Sequence, residues 1–237
     1  MNLKYYIVFT LSTTLLIGYS KSNKKKKDTL EIIKTEHLKT EDSLLLDDAK
    51  GENSIKTIVN TDSIQLTTLI RKAYEWHMDK YLPDFPYLDD TETDTIFTGI
   101  DWEVYNKNIE LLKSTNYFTN EFLSHHKSIA TTIDRSIKTA SIEWRHKFDI
   151  SIWDSEADDW CYCQDHPDNY WETLIIDQLN IENNFASFNL NWKMFDDYSS
   201  MEYKVTARKV DGLWKINSLE GYKAYKTFED YEKIMND

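Results

Sequence analysis

Cys161 and Cys163 are the only cysteines in the chain, and His166 follows three residues later. Two thiols and an imidazole at that spacing suit zinc, but a structural zinc site takes four ligands and there is no second Cys or His cluster at ligand spacing. In an oxidising compartment the pair would bridge instead. The Cα atoms at i and i+2 of an extended segment stand near the upper limit for a disulfide, so closure demands a tight turn. The spacing therefore favours a free, partly buried pair, with the bridge and the metal site as alternatives.

Six carboxylates, Asp154, Glu156, Asp158, Asp159, Asp165 and Asp168, crowd the same stretch. If Asp154 opens a calcium loop, Glu156, Asp158 and Asp165 take its third, fifth and twelfth positions. Two requirements fail. Asp159 stands where a glycine makes the sharp turn, and Asp165 is shorter than the bidentate glutamate that closes such a loop. A solvated acidic loop fits better, with Asp154, Glu156, Asp158 and Asp165 retained as calcium candidates. Nucleophile-elbow, H-E-x-x-H and phosphate-loop patterns are absent, which counts against hydrolases and kinases.

Whatever these residues do, the rest of the chain must hold them. It has 237 residues, 14% of them aromatic, a load that needs a core and excludes global disorder. Only five Gly and three Pro argue against a collagen-like chain or a tight-turned β-barrel. The net charge is -13, and residues 60–237 alone carry 18 basic against 33 acidic side chains. That balance weighs against nucleic acid as a partner, because phosphate binding draws on excess Lys and Arg. No cofactor motif is apparent.

Lys4 precedes an apolar run from Tyr5 to Gly18 that is too short to span a bilayer comfortably and reads as a signal peptide. Gly18 and Ser20 suit cleavage after Ser20, which would leave no transmembrane span in the mature chain. A lipoprotein would need Cys where Tyr19 stands, so lipidation there is not expected. The domain reading is thus a signal peptide over 1–20, a flexible Lys-rich tether over 21–60 and a single α+β domain over 61–237, exported to the periplasm or cell envelope.

Within that domain, Asp62 and Gln65 have capping-box spacing ahead of Leu66, Leu69, Ile70, Ala73, Trp76 and Tyr81, an amphipathic helix ended by Pro83 and Pro86. An acidic loop follows. A second helix carries Trp102, Tyr105, Ile109 and Leu112. A third, from about Tyr117, carries Phe118, Phe122, Ile129, Ile133 and Ile137, with His125 in its stripe and His126 beside it. Residues 142–152 fit either period. Strands are expected over 173–180, Phe185 to Met194 and Met201 to Val210. Asp211-Gly212 suits a two-residue hairpin that pairs Val210 with Leu213, Arg208 with Lys215, Ala207 with Ile216, Thr206 with Asn217 and Val205 with Ser218. A short helix from Thr227 closes the chain.

The segment Asp159-Trp160-Cys161-Tyr162-Cys163-Gln164-Asp165-His166-Pro167, with Trp171 and the terminal Asp211-Gly212-Leu213-Trp214-Lys215-Ile216 hairpin, resembles a bacterial family of exported domains of unknown function. That family looks like a branch of the nuclear-transport-factor-two-like superfamily. The resemblance implies a cone: N-terminal helices packed on the concave face of a curved antiparallel sheet, with a short C-terminal helix. Trp160, Gln164, Asp165 and Trp171 are the ligand-binding candidates of this segment, which is expected to be structural first, its two Trp anchoring a bend against the helices. A cone of the ketosteroid-isomerase or dehydratase kind would use a pocket carboxylate as base and a separate oxyanion donor, for which Asp165, His125 and Tyr74 are the candidates. Two of them also have a plain structural use: a core histidine for His125, a turn former for Asp165.

The functional expectation is an exported binding module for a small ligand or protein partner, with the acid/base enzyme as alternative. Lys204, Arg208 and Lys215 are expected to project together from the sheet. On so acidic a domain they could dock an acidic partner or a second copy, or serve only as a solvated face that blocks edge pairing.

Overall fold

The protein is described from a computed structural model that covers residues 49–90, 92, 95–166, 170–192 and 202–237. The expected signal peptide, most of the expected tether, and Pro167, Asp168, Lys193, Met194 and Met201 lie outside those residues.

Helix α1 runs Ala49–Lys80, well upstream of the expected start. Asp62 is therefore not a cap. It sits inside the helix, where its Oδ1 accepts from Lys209 Nζ at 2.6 Å and from Trp214 Nε1 at 2.9 Å. Leu66, Leu69, Ile70, Ala73 and Tyr74 form the buried stripe, whereas Tyr81, with φ of 46°, ends the helix and is 83% exposed.

The acidic loop that follows contains a short antiparallel ribbon, β1 (Tyr87–Asp89) and β2 (Phe97–Ile100). Alternation over three or four residues is too brief to be read as strand. Gly99 lets β2 lie close to the next helix but one: a Cβ there would stand 2.4 Å from Asp134 Oδ1, the atom that accepts from the Ile100 backbone N–H.

Helix α2 (Trp102–Ser114) is capped by Asp101, and α3 (Asn120–Thr139) by Thr119, whose hydroxyl accepts from Phe122 N. On α3 the buried stripe runs Phe122, His126, Ile129, Ala130, Ile133 and Ile137, so the core histidine is His126, and His125 is exposed. Four residues on from Phe122 is 126; the adjacent position is turned about 100° towards solvent. The ambiguous stretch after α3 is neither helix nor strand but two 3-10 turns, Glu143–Arg145 and Lys147–Ile152, ending at the buried Trp153.

After a four-residue helix α4 (Tyr170–Thr173) come β3 (Ile175–Glu182), β4 (Phe185–Asn191), β5 (Tyr203–Val210) and β6 (Leu213–Leu219), paired antiparallel in chain order. Asp211 and Gly212 both have positive φ, 52° and 80°, as a type I′ turn requires. The register follows expectation from Val210↔Leu213 through Ala207↔Ile216, then slips: Thr206 pairs with Ser218 and Val205 with Leu219. Asn217 is the extra residue of this bulge. Its Oδ1 accepts from the Thr119 hydroxyl, and the slip turns Leu219 into the core.

Trp214 and Ile216 of β6, Val205 and Ala207 of β5, and Ala186, Phe188 and Leu190 of β4 are buried. Helix α1 packs against β3 and β6, and α3 against β2 and β6. Helix α5 (Phe228–Asn236), held by a Thr227/Asp230 capping box, packs on α3.

The class is α+β, but the cone is not there. The two sheets are open, and neither is curved or closed. The strands of the larger sheet are seven or eight residues long, each paired antiparallel with its predecessor. The outer edge of β6 is met by the Tyr117–Thr119 segment: Ile216 N donates to Tyr117 O at 2.7 Å and Thr119 N to Ile216 O at 2.9 Å. The helices therefore lie against an open sheet, with no concave face to fill, and the superfamily resemblance falls with the cone.

Candidate functional site

A groove of about 970 Å³ opens between the end of α1, the β1–β2 ribbon and the loop over 154–166. Its rings are Tyr81, Phe85, Tyr87, Phe97 and Tyr225. Asp84, Asp89, Asp154, Glu156, Asp158 and Asp159 supply carboxylates, against Lys147 and the imidazoles of His77 and His166.

The loop that forms one wall is a series of side-chain-directed turns. Asp154 Oδ1 accepts from Glu156 N, and Asp158 Oδ1 accepts from Trp160 N at 2.7 Å. Such Asx turns give two of the clustered carboxylates a structural duty. The Asp158 carbonyl accepts from the N–H groups of Cys161 and Tyr162, and Asp158 N donates to Cys163 O. Glu156 and Tyr162 take positive φ, 58° and 56°, which completes two tight reversals without glycine. Buried tyrosines clamp the loop: Tyr74 on α1 donates to Trp160 O, and Tyr203 on β5 donates to Asp159 O while accepting from Gly221 N. Gly221 has to lack a side chain here, because a Cβ would stand 2.0 Å from the Asp159 carbonyl oxygen.

Trp160 is the pin of this wall. Its ring is 1% exposed, stacks on His77 at 4.1 Å and meets Tyr74 and Phe118 edge-on. Asp158 Oδ2 lies 3.1 Å from Nε2 of both His77 and His166. Burial works to raise the Asp158 carboxyl, but the His77 hydrogen bond and charge, the Trp160 N–H and His166 hold it below the ordinary range. Asp159 goes the other way. Burial, with the charges of Asp84 and Asp154, pushes its carboxyl up to about 7 even though Tyr225 and Ser155 donate to it.

The tight turn that spacing made doubtful is present. Cys161 and Cys163 are bonded, with Cα atoms 5.1 Å apart, because left-handed Tyr162 folds the chain back between them. The expected free pair is thereby corrected to a bridge. Cys161 is buried, and Cys163 borders the groove.

Of the ligand candidates, Gln164 reaches the groove, Trp160 is core beside it, Trp171 is partly buried against the core, and Asp165 is exposed on the turn. The three acid/base candidates do not meet. Tyr74 is committed to the Trp160 carbonyl, and His125 lies 3.2 Å from the Tyr222 carbonyl. The calcium candidates do not converge either: among the described residues the group that could surround a metal ion is Cys161, Cys163 and His166. His77, Asp84, Phe85, Phe97 and Tyr225 escaped sequence reading because they come from segments far apart in the chain.

On the sheet, Lys204 and Arg208 are exposed and Arg208 stands opposite Lys215 as expected. Arg208 Nη1 lies 3.8 Å from Glu121 Oε1, and Lys215 Nζ donates to Asn116 Oδ1 at 2.6 Å, so part of this charge is answered within the chain.

No family model matches the chain, and no curated protein matches it. Among solved structures, a protein of unknown function from Bacteroides thetaiotaomicron VPI-5482 is similar at 16% identity and a TM-score of 0.35, over 73% of this chain and 98% of that one. A likeness of that degree says nothing of function. Among the described residues no helix is long and apolar enough to cross a membrane.

Proposed function

We propose that this chain is an exported binding module of the cell envelope whose groove receives a small ligand or a segment of a partner, the occupant being cationic with an apolar body. The observation that carries the reading is the lining itself: aromatic rings interleaved with carboxylates, in a concave space large enough for a drug-sized molecule. Rings attract cations through their faces, and carboxylates between low-dielectric walls add to that attraction. Export is inferred from the apolar run over residues 5–18 behind Lys4. The acid/base alternative loses support because Asp165, His125 and Tyr74 are apart.

Thermal melting with phenethylammonium and a Lys-Phe-Lys peptide tests this, with phenylacetate as the anionic control. The cations should raise the melting temperature, less so at high salt. Asp154→Asn with Glu156→Gln should weaken them roughly threefold to tenfold, the worth of about 1 kcal/mol of screened charge contact. Equal stabilisation by phenylacetate, or none by either cation, would remove the groove reading.

Lys204, Arg208 and Lys215 complete the proposal as a docking face for an acidic partner or a second copy, since a positive patch on an acidic domain orients an encounter. Light scattering at low salt should show self-association that Arg208→Glu with Lys215→Glu abolishes. A particle that is monomeric throughout the salt series leaves a solvated face only.

A further inference from the structure

The Cys161–Cys163 bridge belongs to a group that can do more than bridge. Both sulfurs and a ring nitrogen of His166 lie within 4.8 Å of one another. Around one zinc ion, with Zn–S near 2.3 Å and Zn–N near 2.0 Å, tetrahedral donors stand roughly 3.5–4 Å apart. Parting the bonded sulfurs by small side-chain rotations would therefore bring all three donors to coordination distance.

The loop does not need the bridge to keep its shape. Backbone bonds from Asp158 N to Cys163 O and from Cys161 N and Tyr162 N to Asp158 O define the turn. The Tyr74 and Tyr203 hydroxyls fix its carbonyls, and Trp160 anchors it in the core. A disulfide over so short a loop removes little chain entropy from the unfolded state, so its loss should leave the fold standing. Asp158, 3.1 Å from His166 Nε2, holds that imidazole beside the two sulfurs as a carboxylate behind a ligating histidine does.

We propose that Cys161, Cys163 and His166 form a redox-gated site for a thiolate-seeking metal ion of the zinc class, closed by the disulfide and opened by a dithiol reductant. In the opening step a reductant thiolate attacks Cys163 Sγ, the sulfur bordering the groove, and the S–S bond breaks to release Cys161 as a thiolate. The reductant's second thiol then displaces Cys163 and leaves as a cyclic disulfide, so two electrons pass to the cysteine pair. Zn²⁺ replaces the two thiol protons. Three protein ligands leave a fourth position, and Cys163 and His166 both border the groove, so that position faces the same space. The inference stands whether or not the groove takes a cationic ligand.

The test uses the full chain, reduced with a dithiol, freed of reductant without air, and titrated with Zn²⁺ and Co²⁺. Native mass spectrometry should find one ion per reduced chain and none on the oxidised chain. Co²⁺ should show thiolate-to-metal charge transfer, and both cysteines should be shielded from alkylation. His166→Gln, which spares both thiols and leaves the fold testable, should weaken binding by tenfold or more. A reduced chain that loses its tertiary circular dichroism, takes up no ion, or binds equally well as His166→Gln would overturn the proposal; the last outcome would mean adventitious binding by two thiols.

Discussion

Trp160→Ala should destabilise the protein by about 3–5 kcal/mol, the cost of truncating a fully buried aromatic ring and leaving its cavity. The ring touches α1 through Tyr74 and His77 and the segment before α3 through Phe118, so the hole would open where three parts of the chain meet. A marginally stable domain has only about 5–15 kcal/mol in hand, so urea or thermal melts should register the change plainly. Two controls separate packing from hydrogen bonding. Trp160→Phe should cost much less, because Trp160 Nε1 makes no hydrogen bond among the described residues and mainly ring volume is lost. Trp171→Ala should also cost less, since that ring is only partly buried against the core. If Trp160→Ala melts as the parent does, the loop is not pinned as described.

The contrast between Trp160 and Trp171 shows how far the sequence could be read. Both belong to an aromatic-rich segment, and nothing in their spacing says which is central. That is settled by α1 and by the Phe118 segment, which lie tens of residues away. Periodic elements were legible because their signal is local: the α2 and α3 stripes, the Asp211-Gly212 hairpin and its register as far as Ala207–Ile216. The failures came where a local pattern had two physical uses. Asp62 looks like a cap because Asp caps helices well, yet its carboxylate serves Lys209 and Trp214, far downstream. His125 and His126 differ by one position on the helix, and only the exact phase decides which is buried. The bulge at Asn217 follows from the Thr119 hydroxyl, which no hairpin rule contains.

The candidate site was half legible for the same reason. The acidic loop announced itself by composition, and its carboxylates turn out to direct turns as well as face the groove. Its partners across the groove, Phe85, Phe97 and Tyr225, carry no common pattern because each is placed by a different element. The bridge was misjudged from spacing because an i, i+2 pair is distant only in extended chain. Tyr162 in the left-handed region is what brings Cys161 and Cys163 together, and a tyrosine is a poor sequence signal for that conformation.

Asp62→Asn should cost about 3 kcal/mol at neutral pH. Removing one member of a buried pair strands the other, here Lys209, and the cost sits at the low end of the usual range because Lys209 is a quarter exposed and can recover some water. The Trp214 N–H keeps an acceptor if the asparagine oxygen turns towards it, so the loss falls on the charge-assisted bond. The pH dependence identifies the cause. The hydrogen bond from Lys209, opposed by burial and aided by Trp214, holds the Asp62 carboxyl below its ordinary value. A folded carboxyl that is more acidic than the unfolded one contributes stability that is complete above the unfolded value, near 3.9, and drains away as pH falls through the folded one. The gap between parent and Asp62→Asn should therefore be constant from about pH 7 down to roughly pH 4–5 and close below that. Taking the difference cancels the groups common to both proteins, Asp159 among them, whose raised carboxyl acts in the opposite sense. A gap that stays open to the lowest pH at which both proteins fold would show that the asparagine disturbs packing and that the ion pair is not what ties α1 to the hairpin.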